Sequence, residues 1–174
     1  MTVLSSTQHP TEVQHIVAKM LRLPDALVTC ECRRMGGGFG GKESQAAQWA
    51  ALAALAAHVT GRPAKCRLDR DDDMIMTGKR HDFRVGYQAG FDKTGRLGGV
   101  DVEFLARCGC SADLSQGVND RTMFHADNAY FYPAVDIRSR RLFTNTVSNT
   151  AFRGFGGPQG MLFAERMMEA IAVT

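Results

Sequence analysis

A chain of 174 residues, 44% hydrophobic and 22% charged, is long enough to bury one substantial core and has the composition of a soluble globular domain. Its formal charge of +3 carries no basic block, which argues against nucleic acid as a partner. The longest apolar run, 46–59, is mostly alanine and too short to span a membrane. No signal or transit peptide is visible, which points to the cytoplasm.

From the amino terminus, Leu4-Ser5-Ser6-Thr7-Gln8 reads as a strand end running into a helix. Pro10 suits a first helical turn, and Val13, Ile16, Val17, Met20 and Leu21 fall on one face. Leu23-Pro24-Asp25 ends that helix. Val28, Cys30 and Cys32 then alternate with Thr29, Glu31 and Arg33, as in a half-buried strand. Residues 43–58 predict an alanine-rich, largely buried helix holding Trp49, Leu52 and Leu55. A short strand is expected over 65–69. Asp71-Asp72-Asp73 admits two readings, a divalent metal or a solvated helix start, and consecutive positions favour the second.

Phe83, Val85, Tyr87, Ala89 and Phe91 alternate, Asp92-Lys93-Thr94-Gly95 turns, and Val100, Val102, Phe104 and Ala106 alternate back, which predicts a long hairpin. Residues 111–132 are polar and irregular and read as a surface or site loop. Residues 135–143 return as a strand, and 158–173 form a closing helix with Met161, Ala164, Met168 and Ile171 inward. The class is α+β, a mixed or antiparallel sheet with packed helices, in one domain over 1–174.

Five cysteines, Cys30, Cys32, Cys66, Cys108 and Cys110, form two Cys-x-Cys pairs plus one. Residues i and i+2 of a strand share a face, so each pair could grip a metal or pack together. The spacing is short for zinc, and buried, reduced thiols are the expectation.

Two glycine-rich stretches carry the chemistry. Five glycines in six residues, 36–41, leave a backbone open to a ligand between a strand and a helix. Gly36-x-Gly38-x-x-Gly41 fits the dinucleotide fingerprint, with Asp69 as a ribose-binding acid. Gly36-x4-Gly41-Lys42 fits the start of a phosphate loop, but Glu43 stands where a hydroxyl should bind magnesium. In 149–160 a strand runs into glycines and a helix again, with Arg153 between Phe152 and Phe155. A guanidinium fork suits phosphate or carbonyl oxygens, and a ring face suits a heterocycle. Two such loops are expected to share one ligand site, with Phe39 and Arg153 on the same side.

Ser6-Thr7-Gln8, Arg34 to Glu43, Thr77-Gly78-Lys79-Arg80-His81, Asp113-Leu114-Ser115, Arg121 and the 149–160 stretch occur here in the order seen in one family. In these stretches the chain resembles the molybdenum-binding subunit of the xanthine dehydrogenase/aldehyde oxidase family, over nearly its whole length. The resemblance overrides the dinucleotide and phosphate-loop readings. It implies a partial molybdopterin-binding domain of an oxidoreductase that hydroxylates hypoxanthine and xanthine to urate. Electrons would pass to iron–sulfur clusters and FAD elsewhere in the enzyme.

Carried onto this sequence, the resemblance makes Gln8 the glutamine that hydrogen-bonds an oxygen on molybdenum. Gly38, Phe39 and Gly40 become the backbone against the pterin, and Arg153 a cofactor contact. Glu43 and Arg121 become the pair that hydrogen-bonds the purine, and Phe155 the ring stacked on it. The pterin sulfurs hold the molybdenum, so no protein ligand is expected. The family's subunit is several times longer, and its base glutamate falls beyond residue 174. The resemblance therefore implies an excised piece, inactive alone, whose partners are the remainder of the molybdenum subunit and the Fe–S/FAD subunit. A free-standing, non-catalytic molybdopterin-binding or interaction module is the alternative.

Overall fold

A computed structural model describes all 174 residues, which form two compact units, Met1–Lys79 and Arg80–Thr174. In the first unit, β1 (Thr2–Leu4) lies parallel to β2 (Thr29–Glu31), and helix α1 (Pro10–Leu21) makes the crossover. The apolar face predicted for α1 is the one that packs, with Val13, Val17 and Ala18 buried. Its left-handed end is Arg22, whose N–H closes on Ala18 and Lys19.

Helix α2 (Gln45–Thr60) starts two residues later than expected and is buried on one face only, where a largely buried helix was expected. Ala47, Ala50, Ala51 and Ala54 are buried, while Leu52 and Leu55 are 52% and 40% exposed. Small residues let α2 approach α1 closely, and the larger side chains are left outside. Helix α3 (Arg70–Met76) follows, its first N–H groups held by the Asp69 carboxylate, which accepts from Asp72 N at 2.9 Å. The three aspartates therefore form a solvated first turn that complements the helix dipole. No strand forms over 65–69, because no neighbouring edge pairs with it.

The second unit is built on a three-stranded mixed sheet, β3 (Phe83–Phe91), β4 (Leu97–Gly109) and β5 (Val135–Phe143), in that order. β3 and β4 are the expected hairpin. Its turn is fixed by Asp92 Oδ1, which accepts from the N–H groups of Thr94 and Arg96. Val100, Val102, Phe104, Ala106 and Cys108 alternate into the core along β4. β5 runs parallel to β4, so a crossover is required. Helix α4 (Ser115–Phe124) supplies it, where an irregular loop was expected. Its buried face is Ser115, Val118, Asn119 and Thr122, mostly polar groups satisfied by hydrogen bonds, so no apolar period marks it in the sequence.

Helix α5 (Gly157–Ala172) closes the unit, but its buried residues are Phe163, Ala164 and Met167, whereas Met161 is exposed. Phe163 meets Phe104 edge-to-face at 5.3 Å, which fixes that rotation. All five cysteines are free, and only Cys108 is buried, contrary to the expectation for the set. No helix is long and apolar enough to cross a membrane.

Candidate cofactor and substrate sites

In the first unit the glycine loop is clamped to the segment that leaves β1. Ser6 Oγ donates to the Met35 carbonyl at 2.8 Å, and Thr7 Oγ1 donates to the Lys42 carbonyl at 3.1 Å. Lys42 Nζ donates back to Ser6 Oγ and to the Met35 carbonyl. Gln8 is held twice. Its N–H donates to the Lys42 carbonyl, and its Oε1 accepts the Gly40 N–H, both at 2.8 Å.

That second bond decides which way the Gln8 amide points. Only the oxygen can accept from a backbone N–H, so Nε2 and its two hydrogens face outward on an exposed side chain. Gly38 makes the contact possible, since a Cβ there would lie 2.4 Å from Gln8 Oε1. The amides of Gly37, Gly38 and Phe39 have no acceptor within the chain. Phe39 is 62% exposed and held at φ 51°, a left-handed conformation that costs a bulky residue about 1–2 kcal/mol. Strain kept beside free donors is what a ligand site stores.

Glu43 is half-buried and lies two residues before α2, not in its first turn as expected. Its N–H donates to the Gly40 carbonyl, so the loop that carries Phe39 also fixes Glu43. Gln8, Gly38, Phe39, Gly40 and Glu43 thus belong to one local structure.

The second unit carries Arg121 on α4, and Arg153 and Phe155 on the loop that leads into α5. The segment 149–151 is buried but is not a strand, since β5 ends at Phe143. Asn149 N–H donates to the Cys108 carbonyl at 2.8 Å and its side-chain amide donates to the Arg107 carbonyl at 2.9 Å, so β4 anchors it. The loop then turns through left-handed Gly154, Phe155 and Gly156 into α5. The Phe155 ring lies against α4 at Gly117, where a Cβ would come within 3.0 Å of it. At Gly156 a Cβ would be 2.1 Å from the Val118 carbonyl oxygen, so α4 and the loop touch backbone to backbone.

Arg121 and His125 lie along the next turn of α4, beside Gly157. His125 Nδ1 is 3.0 Å from the Arg121 carbonyl. Arg121 and Arg153 are exposed, and neither pairs with a carboxylate. Both guanidinium groups are left to meet an anion or a carbonyl.

Three supporting residues carried no role in the sequence. Arg80 Nη2 donates to the Arg153 carbonyl at 2.7 Å, and its guanidinium stacks 4.4 Å from the Phe152 ring centroid. Gln159 Nε2 donates to the His81 carbonyl at 3.1 Å. His81 is buried, with Nε2 2.7 Å from Ser115 Oγ at the start of α4. Burial lowers the His81 pKa below 6.5, and the charges of Asp113 and Asp82 oppose that only in part. No periodicity exposes these residues. The motif spanning Arg80 and His81, and the 149–160 stretch that holds Gln159, are the sequence signals for them.

The molybdopterin cofactor-binding domain family matches residues 1–174 without interruption. The chain belongs to the molybdopterin cofactor-binding domain family. Relatives of this domain include xanthine dehydrogenase/oxidase of Rattus norvegicus, 49% identical over 100% of the chain, and xanthine dehydrogenase of Dictyostelium discoideum, 47% identical over the same span. The chain spans 13% of the length of each. Among solved structures it is similar to the aldehyde oxidoreductase of Desulfovibrio gigas, with a TM-score of 0.80 and 26% identity over 98% of the chain and 19% of that structure. The Cu,Mo-CO dehydrogenase gives a TM-score of 0.86 at 23% identity, over 98% of the chain and 22% of that structure, and shares the fold.

The residues present fit the family's cofactor. A heterocycle rich in oxygen and nitrogen would find donors in the outward Gln8 Nε2 and the amides of Gly37, Gly38 and Phe39, which have no acceptor within the chain.

Proposed function

We propose that residues 1–174 are the cofactor-binding portion of a xanthine dehydrogenase-type molybdenum hydroxylase whose substrates are hypoxanthine and xanthine. Identity of 47–49% to xanthine dehydrogenases along the whole chain is the observation that carries this reading. When bound, the molybdenum–pterin group supplies the oxidising centre at which a purine ring carbon is hydroxylated.

Gln8 Nε2 donates to a cofactor oxygen, and its own orientation is locked by the Gly40 N–H. The amides of Gly37, Gly38 and Phe39 hold the pterin, and the Phe39 ring shields it from water. Arg153 neutralises cofactor oxygens while Arg80 fixes its backbone. Glu43 accepts purine N–H protons, Arg121 stabilises negative charge growing on a purine oxygen, and Phe155 stacks on the ring.

The general base, and the Fe–S and FAD groups that take the electrons, belong to the rest of the enzyme. Remaining partners are therefore the rest of the molybdenum subunit and the Fe–S/FAD subunit. Five free cysteines support a reducing, cytoplasmic setting.

Purified alone, the 174-residue chain should not oxidise xanthine with a dye acceptor, because loss of a general base by itself costs about 10²–10⁴ in rate. The complete subunit should contain molybdenum and form urate. A complete, molybdenum-loaded subunit that leaves hypoxanthine and xanthine unchanged would overturn the reading.

A further inference from the structure

The rotation of α4 is set by hydrogen bonds more than by an apolar stripe, since Val118 is the one apolar residue among its four buried ones. Apolar contact has no direction, whereas a hydrogen bond fixes both distance and angle. Three such ties leave the inner face of α4. Ser115 Oγ lies 2.7 Å from His81 Nε2, and Asn119 Oδ1 accepts from Ser139 Oγ of β5 at 2.6 Å. Thr122 Oγ1 donates to the carbonyls of Val118 and Gly156 at 2.9 and 3.1 Å. Arg121 stands immediately before Thr122, so the same ties that turn α4 also aim its guanidinium. The first tie is made where the helix begins, after Leu114, which has no side-chain group to cap it.

His81 joins that helix start to two other segments. Its carbonyl accepts from Gln159 Nε2 in the first turn of α5, and the Thr150 backbone interacts with its ring. Thr150 lies in the buried stretch that enters the loop carrying Arg153 and Phe155. The neighbouring Arg80 holds the Arg153 carbonyl and stacks on Phe152. Two consecutive residues ahead of β3 thus reach the start of α4, the loop and the start of α5. Both Ser115 and His81 are buried. An apolar side chain would fill the place of the imidazole without loss of hydration, so the ring supplies direction and not only bulk.

We propose that His81 is a positioning residue for substrate recognition: through Ser115 it sets the rotation of α4, and with it the direction in which Arg121 presents its guanidinium. The inference rests on the reading that Arg121 contacts the purine. His81 acts only through the helix, because its buried ring is occupied by Ser115 at one nitrogen and enclosed by the chain. Arg121 lies six residues from Ser115, about 9 Å along the helix at 1.5 Å per residue. A small turn at the helix start is therefore carried to the end of a long side chain, where a misplacement of about 1 Å is costly to a reaction. The effect is selective. Acetaldehyde has no ring oxygen for Arg121 to meet, so its turnover does not depend on where that guanidinium points.

The test follows, in the complete molybdenum-loaded enzyme, the ratio of kcat/KM for xanthine to kcat/KM for acetaldehyde. His81→Leu should lower that ratio about three- to tenfold, the effect of one lost hydrogen bond, with molybdenum content unchanged. Ser115→Ala, a small change that a helix accepts, should lower it by a similar factor and decides the matter alone if His81→Leu does not fold. The two together should lower it no further than either one, because they break the same tie. His81→Gln, whose amide can bond Ser115 in place of Nε2, should restore most of the ratio. In an Arg121→Met background, His81→Leu should leave the ratio where Arg121→Met puts it. Equal losses on both substrates, no rescue by glutamine, or a further fall in the Arg121→Met background would each overturn the proposal and leave His81 a support of the fold. An Arg121→Met enzyme with an unchanged ratio would instead overturn the reading of Arg121 itself, and the positioning role with it.

Discussion

The two glycine loops are written in nearly the same sequence and built in opposite ways. Gly-Phe-Gly-Gly occurs at 38–41 and again at 154–157, and in both the phenylalanine is forced to positive φ, 51° at Phe39 and 47° at Phe155. Around Phe39 a Cβ at Gly36 would meet nothing within 4 Å, one at Gly37 or Gly38 would meet the side chain of Phe39 or Gln8, and amides are left without acceptors. Around Phe155 the glycines are packed, with Gly156 and Gly160 pressed on carbonyl oxygens of α4. In the first loop glycine leaves backbone donors without acceptors. In the second it serves close packing of the loop on α4. The same residue type thus keeps backbone groups accessible in one unit and packs loop on helix in the other.

Alanine substitution should separate these uses most sharply. Gly156→Ala places a Cβ 2.1 Å from a backbone oxygen at φ 93°. It should destabilise the second unit by about 2–5 kcal/mol, combining left-handed strain with overpacking. Gly36→Ala pays backbone strain alone and should cost about 1–2 kcal/mol. Urea unfolding of the two variants measures both, and equal losses would erase the distinction.

Gln8→Glu sharpens the comparison from the ligand side. A carboxylate still accepts the Gly40 N–H but has no hydrogen to donate outward. Stability should move by less than about 0.5 kcal/mol, while molybdenum and pterin retained by the complete subunit should fall about tenfold, the loss of one hydrogen bond at its upper range. A matching loss of stability would make Gln8 a clamp and nothing more.

His81 offers the smallest effect, one confined to the second unit. Its buried ring resists protonation that the unfolded chain accepts near pH 6.5, so its contribution is present above that pH and is lost as pH falls below it. Thermal unfolding followed from pH 7.5 to 5 should show the second unit losing stability on acidification. His81→Gln should flatten that slope, and an unchanged slope would assign the acid sensitivity elsewhere.

The sequence exposed whatever had an apolar period. The buried face of α1 and the β3–β4 hairpin could be read residue by residue, because Val13 and Val17 or Val100, Val102 and Phe104 repeat with the element that holds them. α4 was not legible, since Ser115, Asn119 and Thr122 satisfy its inner face with hydrogen bonds. α2 misled, because its inward residues are alanines and its leucines point out. The strand expected over 65–69 does not form, because no edge in the chain pairs with it. At the sites, composition marked both loops but left dinucleotide and phosphate readings open. The lock between Gln8 and Gly40 spans 32 residues, and no local pattern encodes it.

The central proposal, that Glu43 and Arg121 each contact a purine substrate, is tested most directly by substrate choice. In the complete enzyme, Glu43→Val with Arg121→Met should lower kcat/KM for xanthine by about 30–1,000-fold, the equivalent of about 2–4 kcal/mol of transition-state stabilisation, and leave aldehyde turnover equal or higher. Equal losses on both substrates, with molybdenum content unchanged, would contradict it and make the two residues supports of the fold.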